Sequence, residues 1–143
     1  MDTYKTLKAP VESPVHKVKG SKFISYAYPV QSREEVDLIL KDLRDEHSKS
    51  NHCCYAWRLG KEKVEYRYND DGEPANSAGK PIYGQIQSFE LTDVLIAVIR
   101  YFGGTKLGVG GLIQAYRESA RLGLEHASIL RKEIKLPFTL EFE

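Results

Sequence analysis

Between Val98 and Ser119 the sequence reads VIRYFGGTKLGVGGLIQAYRES, and the glycines Gly103, Gly104, Gly108, Gly110 and Gly111 surround a single lysine, Lys106. An apolar strand pattern enters this stretch and a helical pattern leaves it. A strand-to-helix junction is where free backbone N–H groups and the helix dipole bind an anion, and glycine lets the backbone come close to it. Lys106 would add a point charge, with Arg100 and Tyr101 at the strand end and Arg117 two turns into the helix as further contacts. Two familiar phosphate motifs are absent. In G-x-x-x-x-G-K-[ST] lysine follows the last glycine, whereas Val109 follows Gly108; a G-x-G-x-x-G starting at Gly108 would end on Ile113. An anion cradle of another kind and glycines that serve packing alone both remain open.

A second dense stretch is YNDDGEPANSAGKPI, with Asp71, Gly72, Glu73, Pro74, Asn76, Ser77, Gly79, Lys80 and Pro81. Its acids could ligate a hard cation, but they lack the D-x-D-x-D-G order of a calcium loop, so no metal is expected. A turn at Asp71-Gly72 with solvated acids, or a binding loop of fixed shape, fits better. In HCCYAW, Cys53 and Cys54 are neighbours on a strand pattern, point to opposite faces and cannot easily pair; they read as core residues of a protein in a reducing compartment. His16, His47 and His126 read as surface histidines. Tyr55, Trp57, Tyr66 and Tyr68, near Arg58 and Arg67, could stack unpaired bases or pack across strands. Tyr101 and Tyr116 stand closer to the glycines.

The elements that must position these residues follow from periodicity. Thr3 to Val30 alternates and is broken by Pro10, Pro14 and a turn at Lys19-Gly20-Ser21, which predicts an antiparallel hairpin with an irregular first strand. Ser32 and Glu35 form a capping box before Val36, Ile39, Leu40 and Leu43, predicting a helix from Arg33 to His47. Strands are expected over His52–Leu59 and Lys63–Tyr68, a weak helix over Ser77–Ser88, and a buried strand over Leu91–Phe102. A long helix over Gly110–Ser128 would carry Ile113, Tyr116, Ala120, Leu124 and Ala127 on its apolar face. The alternating end, Arg131 to Glu143, either docks on the main sheet or opens a second domain; the division adopted is 1–130 and 131–143.

The chain has 143 residues, a net charge of +1 and 41% hydrophobic residues, which suits one α+β domain with an adequate core and argues against bulk electrostatic coating of nucleic acid. No apolar run is long enough to span a membrane and the first residues carry no signal core, so a cytoplasmic protein is expected.

The motifs HCCYAWRLG, DDGEPANSAGKPI and VIRYFGGTKLGVGGLIQAYRESA together resemble the YigZ/IMPACT family, from about Lys19 to Ser128. The resemblance implies a fold like the second domain of ribosomal small-subunit protein five and the fourth domain of elongation factor G: a mainly antiparallel sheet of four or five strands with helices on one side. Asp71, Gly72, Glu73, Pro74, Ser77, Gly79, Lys80 and Pro81 match one family motif. Arg100, Tyr101, Gly103, Gly104, Lys106, Leu107, Gly108 and Gly111 match the other. Bacterial members continue into a ferredoxin-like domain, of which 131–143 would be the truncated start, and IMPACT proteins carry a different N-terminal domain, so control of the starvation kinase is not carried over. The resemblance implies translation-linked or RNA-linked work.

Three functions are weighed. The first is a non-catalytic module contacting phosphates of RNA or a ribosome through the glycine loop, with Lys80 as an added charge. The second is an enzyme acting on a small phosphorylated or nucleotide-like ligand, with Asp71 or Glu73 as acid, base or magnesium ligand. The third is a protein-interaction domain. No catalytic residue is assigned, no cofactor is expected, and a non-catalytic module is preferred over an enzyme.

Overall fold

In the computed structural model, which describes residues 3–134, the chain runs β1 (Thr3–Leu7), β2 (Val11–Glu12), β3 (His16–Val18), β4 (Ser21–Pro29), α1 (Arg33–Glu46), β5 (His52–Leu59), β6 (Glu65–Asn69), α2 (Gly79–Ser88), β7 (Val94–Tyr101), α3 (Gly108–Glu125) and β8 (Ile129–Glu133). Six strands form one sheet in the order β2-β4-β7-β5-β6, with β3 also paired to β4, and every pairing in it is antiparallel. The expected α+β class and antiparallel sheet are present. The sheet has six strands rather than four or five because the irregular first strand of the hairpin splits at Ser13-Pro14 into β2 and β3. No helix among the described residues is long and apolar enough to cross a membrane.

The helices lie on both faces of the sheet, which corrects the expectation of one. β7 is central, and Val94 to Ile99 are all buried, so both its faces need an apolar cover. Val94, Ile96 and Val98 pack under α2 and α3 with Phe23, Ile82, Ile86, Leu112, Tyr116 and Leu124. Leu95, Ala97 and Ile99 pack under α1 with Trp57 and the helix residues Val36, Leu40 and Leu43. The two cysteines divide accordingly, Cys53 to the α1 face and Cys54 to the other, and both are free. On α3 the apolar stripe is carried by Leu112, Ala115, Tyr116, Ala120 and Leu124, with Ile113 only half-buried.

Local signals explain most boundaries. Ser32 Oγ accepts from the Glu35 N–H at 3.2 Å and caps α1, while Glu35 Oε1 reaches one residue further back than in a capping box and accepts from the N–H of Gln31 at 2.7 Å. Helix α2 forms despite two glycines and a proline because its first turn is capped from outside. The Asp70 carboxylate accepts the N–H groups of Asn76 (2.8 Å), Ala78 (3.1 Å) and Gly79 (2.8 Å), and Ile82 and Ile86 are fully buried.

β1 leaves the hairpin and pairs instead with β8, Thr3 opposite Glu133 through Leu7 opposite Ile129. Arg131 to Glu133, expected in the segment 131–143, are therefore partnered by the chain's first strand; positions 135–143 of that segment lie outside the described residues.

Asp70→Ala should strip three N–H groups at the start of α2 of their acceptor. We expect a loss of about 2 kcal/mol, read as a lower urea midpoint at unchanged slope.

Candidate functional site

The two motif loops meet through one buried ion pair. Arg100, at the end of β7, and Glu73, in the loop before α2, have side chains 6% and 4% exposed; Nη1 of Arg100 donates to both carboxylate oxygens of Glu73 at 3.0 and 2.8 Å. Tyr116 of α3 donates its hydroxyl to the same carboxylate, and His52 Nε2 lies 3.5 Å from it. The rest of the Arg100 guanidinium reaches the hydroxyl of Ser21, which accepts from Nη2 at 3.2 Å and Nε at 3.4 Å and also takes the Gly103 N–H at 3.2 Å. Five segments distant in sequence are tied at one point: the β3–β4 turn, β5, the acidic loop, β7 and α3.

The acids of the second motif are engaged in the same way. Asp71 Oδ2 accepts the Cys53 N–H at 2.7 Å, and His52 Nδ1 donates to the Asp71 carbonyl at 2.8 Å. Ser77 donates both its N–H and its hydroxyl to the Pro74 carbonyl. Asp71, Gly72 and Asn76 all have positive φ, at 41°, 89° and 64°, which fixes the loop's shape. Among the described residues no group of three His, Cys, Asp or Glu side chains is arranged to hold a metal ion. Burial raises the Cys53 thiol to about 11 and the Cys54 thiol further, and Cys54 Sγ donates to the Asp70 carbonyl, so neither is a ready nucleophile.

The first motif separates into internal and surface residues. Arg100 is neutralised inside the protein, and Tyr116 is fully buried, with burial raising its phenol, so neither offers itself to a ligand. Tyr101 points to the α1 face, where its hydroxyl meets His47 Nδ1 at 2.5 Å. His47, expected on the surface, is instead 11% exposed and held between the hydroxyls of Tyr101 and Tyr26, the latter 2.7 Å from Nε2. Lys106, Arg117 and Lys80 are exposed and form no ion pair with a described residue. Lys80 lies on the first turn of α2.

The glycines have different reasons. A Cβ on Gly103 would sit 2.0 Å from the Gly20 carbonyl carbon, so Gly103 is bare because the hairpin turn presses on it. Gly104 and Gly108 have φ of 92° and 76°. Gly110 has neither requirement: it is helical, exposed, and a Cβ there would meet nothing within 4 Å. It heads an exposed stripe with Gln114 and Arg117 on the first turns of α3, which carry no acid and no side-chain cap.

The Gly20–Gly103 contact delivers residues that sequence reasoning passed over. Lys17, Lys19 and Lys22 of the hairpin are exposed, and Lys19 lines a groove of about 390 Å³ with His16, Val18, Leu107, Gly111, Gln114, Ala115 and Glu118, whose carboxylate is paired with Arg121. Phe102, 49% exposed, is the aromatic that the loop presents. The repeated lysines of HKVKGSK were the available signal. Trp57, expected with Tyr66 and Tyr68 on one aromatic face, is buried on the α1 face, while Tyr66 and Tyr68 group with Tyr83 of α2.

The Impact N-terminal domain model matches residues 19–124, a span that contains both motif loops and the pair joining them. The chain belongs to this family. It is 33% identical over 134 residues to the IMPACT family member YvyE of Bacillus subtilis, covering 94% of this chain and 61% of that protein, so it spans about three fifths of that relative's length. A crystal structure of a hypothetical protein superposes with a TM-score of 0.85 at 32% identity, over 92% of this chain and 65% of the other. The two-domain translational regulator Yih1 shares the fold, with a TM-score of 0.57 at 23% identity, over 84% of this chain and 48% of the other.

Removing one member of a buried ion pair leaves the other uncompensated. Glu73→Gln and Arg100→Met should each cost about 3–5 kcal/mol in urea denaturation, and the double variant should lose clearly less than their sum.

Proposed function

We propose that this chain is a translation-linked module that contacts RNA phosphates, on a ribosome or another structured RNA, with the end of the molecule where the β3–β4 turn meets the glycine loop. The observation that carries this reading is the packing of Gly20 on Gly103, which sets the hairpin tip, with Lys19 in its turn and Lys17 and Lys22 on its flanking strands, against the loop holding Lys106, none of these lysines ion-paired among the described residues.

The chemistry is that of a backbone-reading surface. Exposed lysines supply sequence-independent attraction to phosphate, and the uncapped first turn of α3 adds N–H groups and the positive end of its dipole. Gly110, which packing does not require to be glycine, leaves the backbone open to close approach. Phe102 supplies an exposed ring for an unstacked base. A net charge of only +1 suits such a local patch, since most of the surface repels or ignores nucleic acid.

Yih1 is a translational regulator, and the likeness of fold supports the same field of action here. The reading sets the module in the cytoplasm, where two free buried cysteines suit a reducing compartment. Asp71 and Glu73, which an enzyme on a phosphorylated ligand would use, serve here as ties between loops, so the reading assigns them no chemical step.

Fluorescence anisotropy of a labelled structured RNA across a salt series tests this. Affinity should fall linearly with salt on logarithmic axes, and Lys19→Ala and Lys106→Ala should each reduce the slope by about one. Unchanged affinity and slope in both variants would overturn the assignment.

A further inference from the structure

The sheet ends differently on its two sides. One outer edge is β2 and β3, interrupted at Ser13-Pro14-Val15. The other is β6, which pairs with β5 in unbroken register from Tyr55 opposite Asn69 to Leu59 opposite Glu65 and has no strand on its outer side among the described residues. Natural sheets blunt such an edge with proline, a bulge or like charges. β6 has no proline and no bulge, and its two charges are of opposite sign, Glu65 and Arg67.

Its side chains are also uncovered. Tyr66 is 55% exposed, although one face of its ring stacks on Tyr83 at 4.7 Å and 19°. Val64, just before the strand, is 38% exposed. By alternation Tyr66 and Tyr68 face the α2 side, while Glu65 and Arg67 face the α1 side.

We propose that β6 is a self-association edge, on which the β6 of a second copy of this chain pairs antiparallel about a twofold axis, Tyr66 opposite Tyr66. The sequence V-E-Y-R-Y is complementary to itself in that register. Glu65 of each copy stands opposite Arg67 of the other, Val64 stands opposite Tyr68, and each exposed Tyr66 gains an aromatic neighbour across the strands. Of the two neighbouring twofold registers, one sets Arg67 against Arg67 with Glu65 opposite Asn69 and the other sets Glu65 against Glu65 with Arg67 opposite Lys63, so charge selects the first. A contact between two five-residue strands lies below the roughly 1,200 Å² buried in a stable interface, so the dimer is weak and depends on concentration. The basic end proposed to contact RNA lies on other strands, and two copies would present it twice.

Sedimentation velocity of the full chain over a concentration series should show a reversible monomer–dimer equilibrium. Arg67→Glu and Glu65→Arg should each weaken it on the order of tenfold, and the double reversal should restore it. Tyr66→Cys should give a disulfide-linked dimer on mild oxidation and Arg67→Cys should not, because opposed Cα atoms lie about 4.5–5.5 Å apart, within disulfide reach. Far-UV circular dichroism checks that each variant is folded. A wild-type chain that stays monomeric throughout, a dimer indifferent to Arg67→Glu, or a double reversal that fails to restore it would each overturn the proposal.

Discussion

A guanidinium and a carboxylate, taken out of water together, hold the two motif loops of this protein in place. Arg100 and Glu73 are 27 residues apart, and each would be costly to bury alone. Their fixed geometry determines more than their own positions. Through Glu73 the pair orients the acidic loop and the Tyr116 face of α3; through Ser21 it seats the β3–β4 turn against Gly103. The Arg100 guanidinium also lies 5.6 Å from the Phe23 ring centroid and 5.5 Å from that of Phe102, so apolar packing limits its freedom further. The surface lysines around the glycine loop owe their arrangement to this interior chemistry.

The family's two long motifs acquire a common explanation. Glu73 and Arg100 are partners in one folded junction, Asp71 ties the acidic loop to β5, Gly103 makes room for the hairpin, and Gly104 and Gly108 turn the chain into α3. What remains for the surface is Lys106, the hairpin lysines, Phe102 and the bare backbone at Gly110. Much of what looked like site chemistry in the sequence is therefore scaffold, and part of the surface comes from a segment outside both motifs.

Local patterns made most elements legible. The Ser32–Glu35 box and the spacing of Val36, Leu40 and Leu43 define α1, and the apolar run ending at Ile99 marks a central strand. That run also implied cover on both faces, which a reading of helices on one side did not honour. What escaped was set by contacts between distant residues. β1 abandons its neighbour for β8, a choice that no local pattern records. Helix α2 depends on Asp70, which precedes it by nine residues, so its own glycines and proline made it look weak. His47 reads as a surface histidine until two tyrosines from other strands enclose it. At the site, glycine spacing announced a special backbone, but only the structure separates Gly103, forced by packing, from Gly110, which packing leaves unexplained.

The central claim, that the hairpin tip and glycine loop form one RNA-facing surface, is tested most directly by titrating a structured RNA into the ¹⁵N-labelled chain and following amide chemical shifts. The account predicts saturable, salt-sensitive changes concentrated at Lys17–Lys22 and Gly103–Gly111, with little change along α1. Perturbations centred on α1 or β6, or none at low salt, would contradict it.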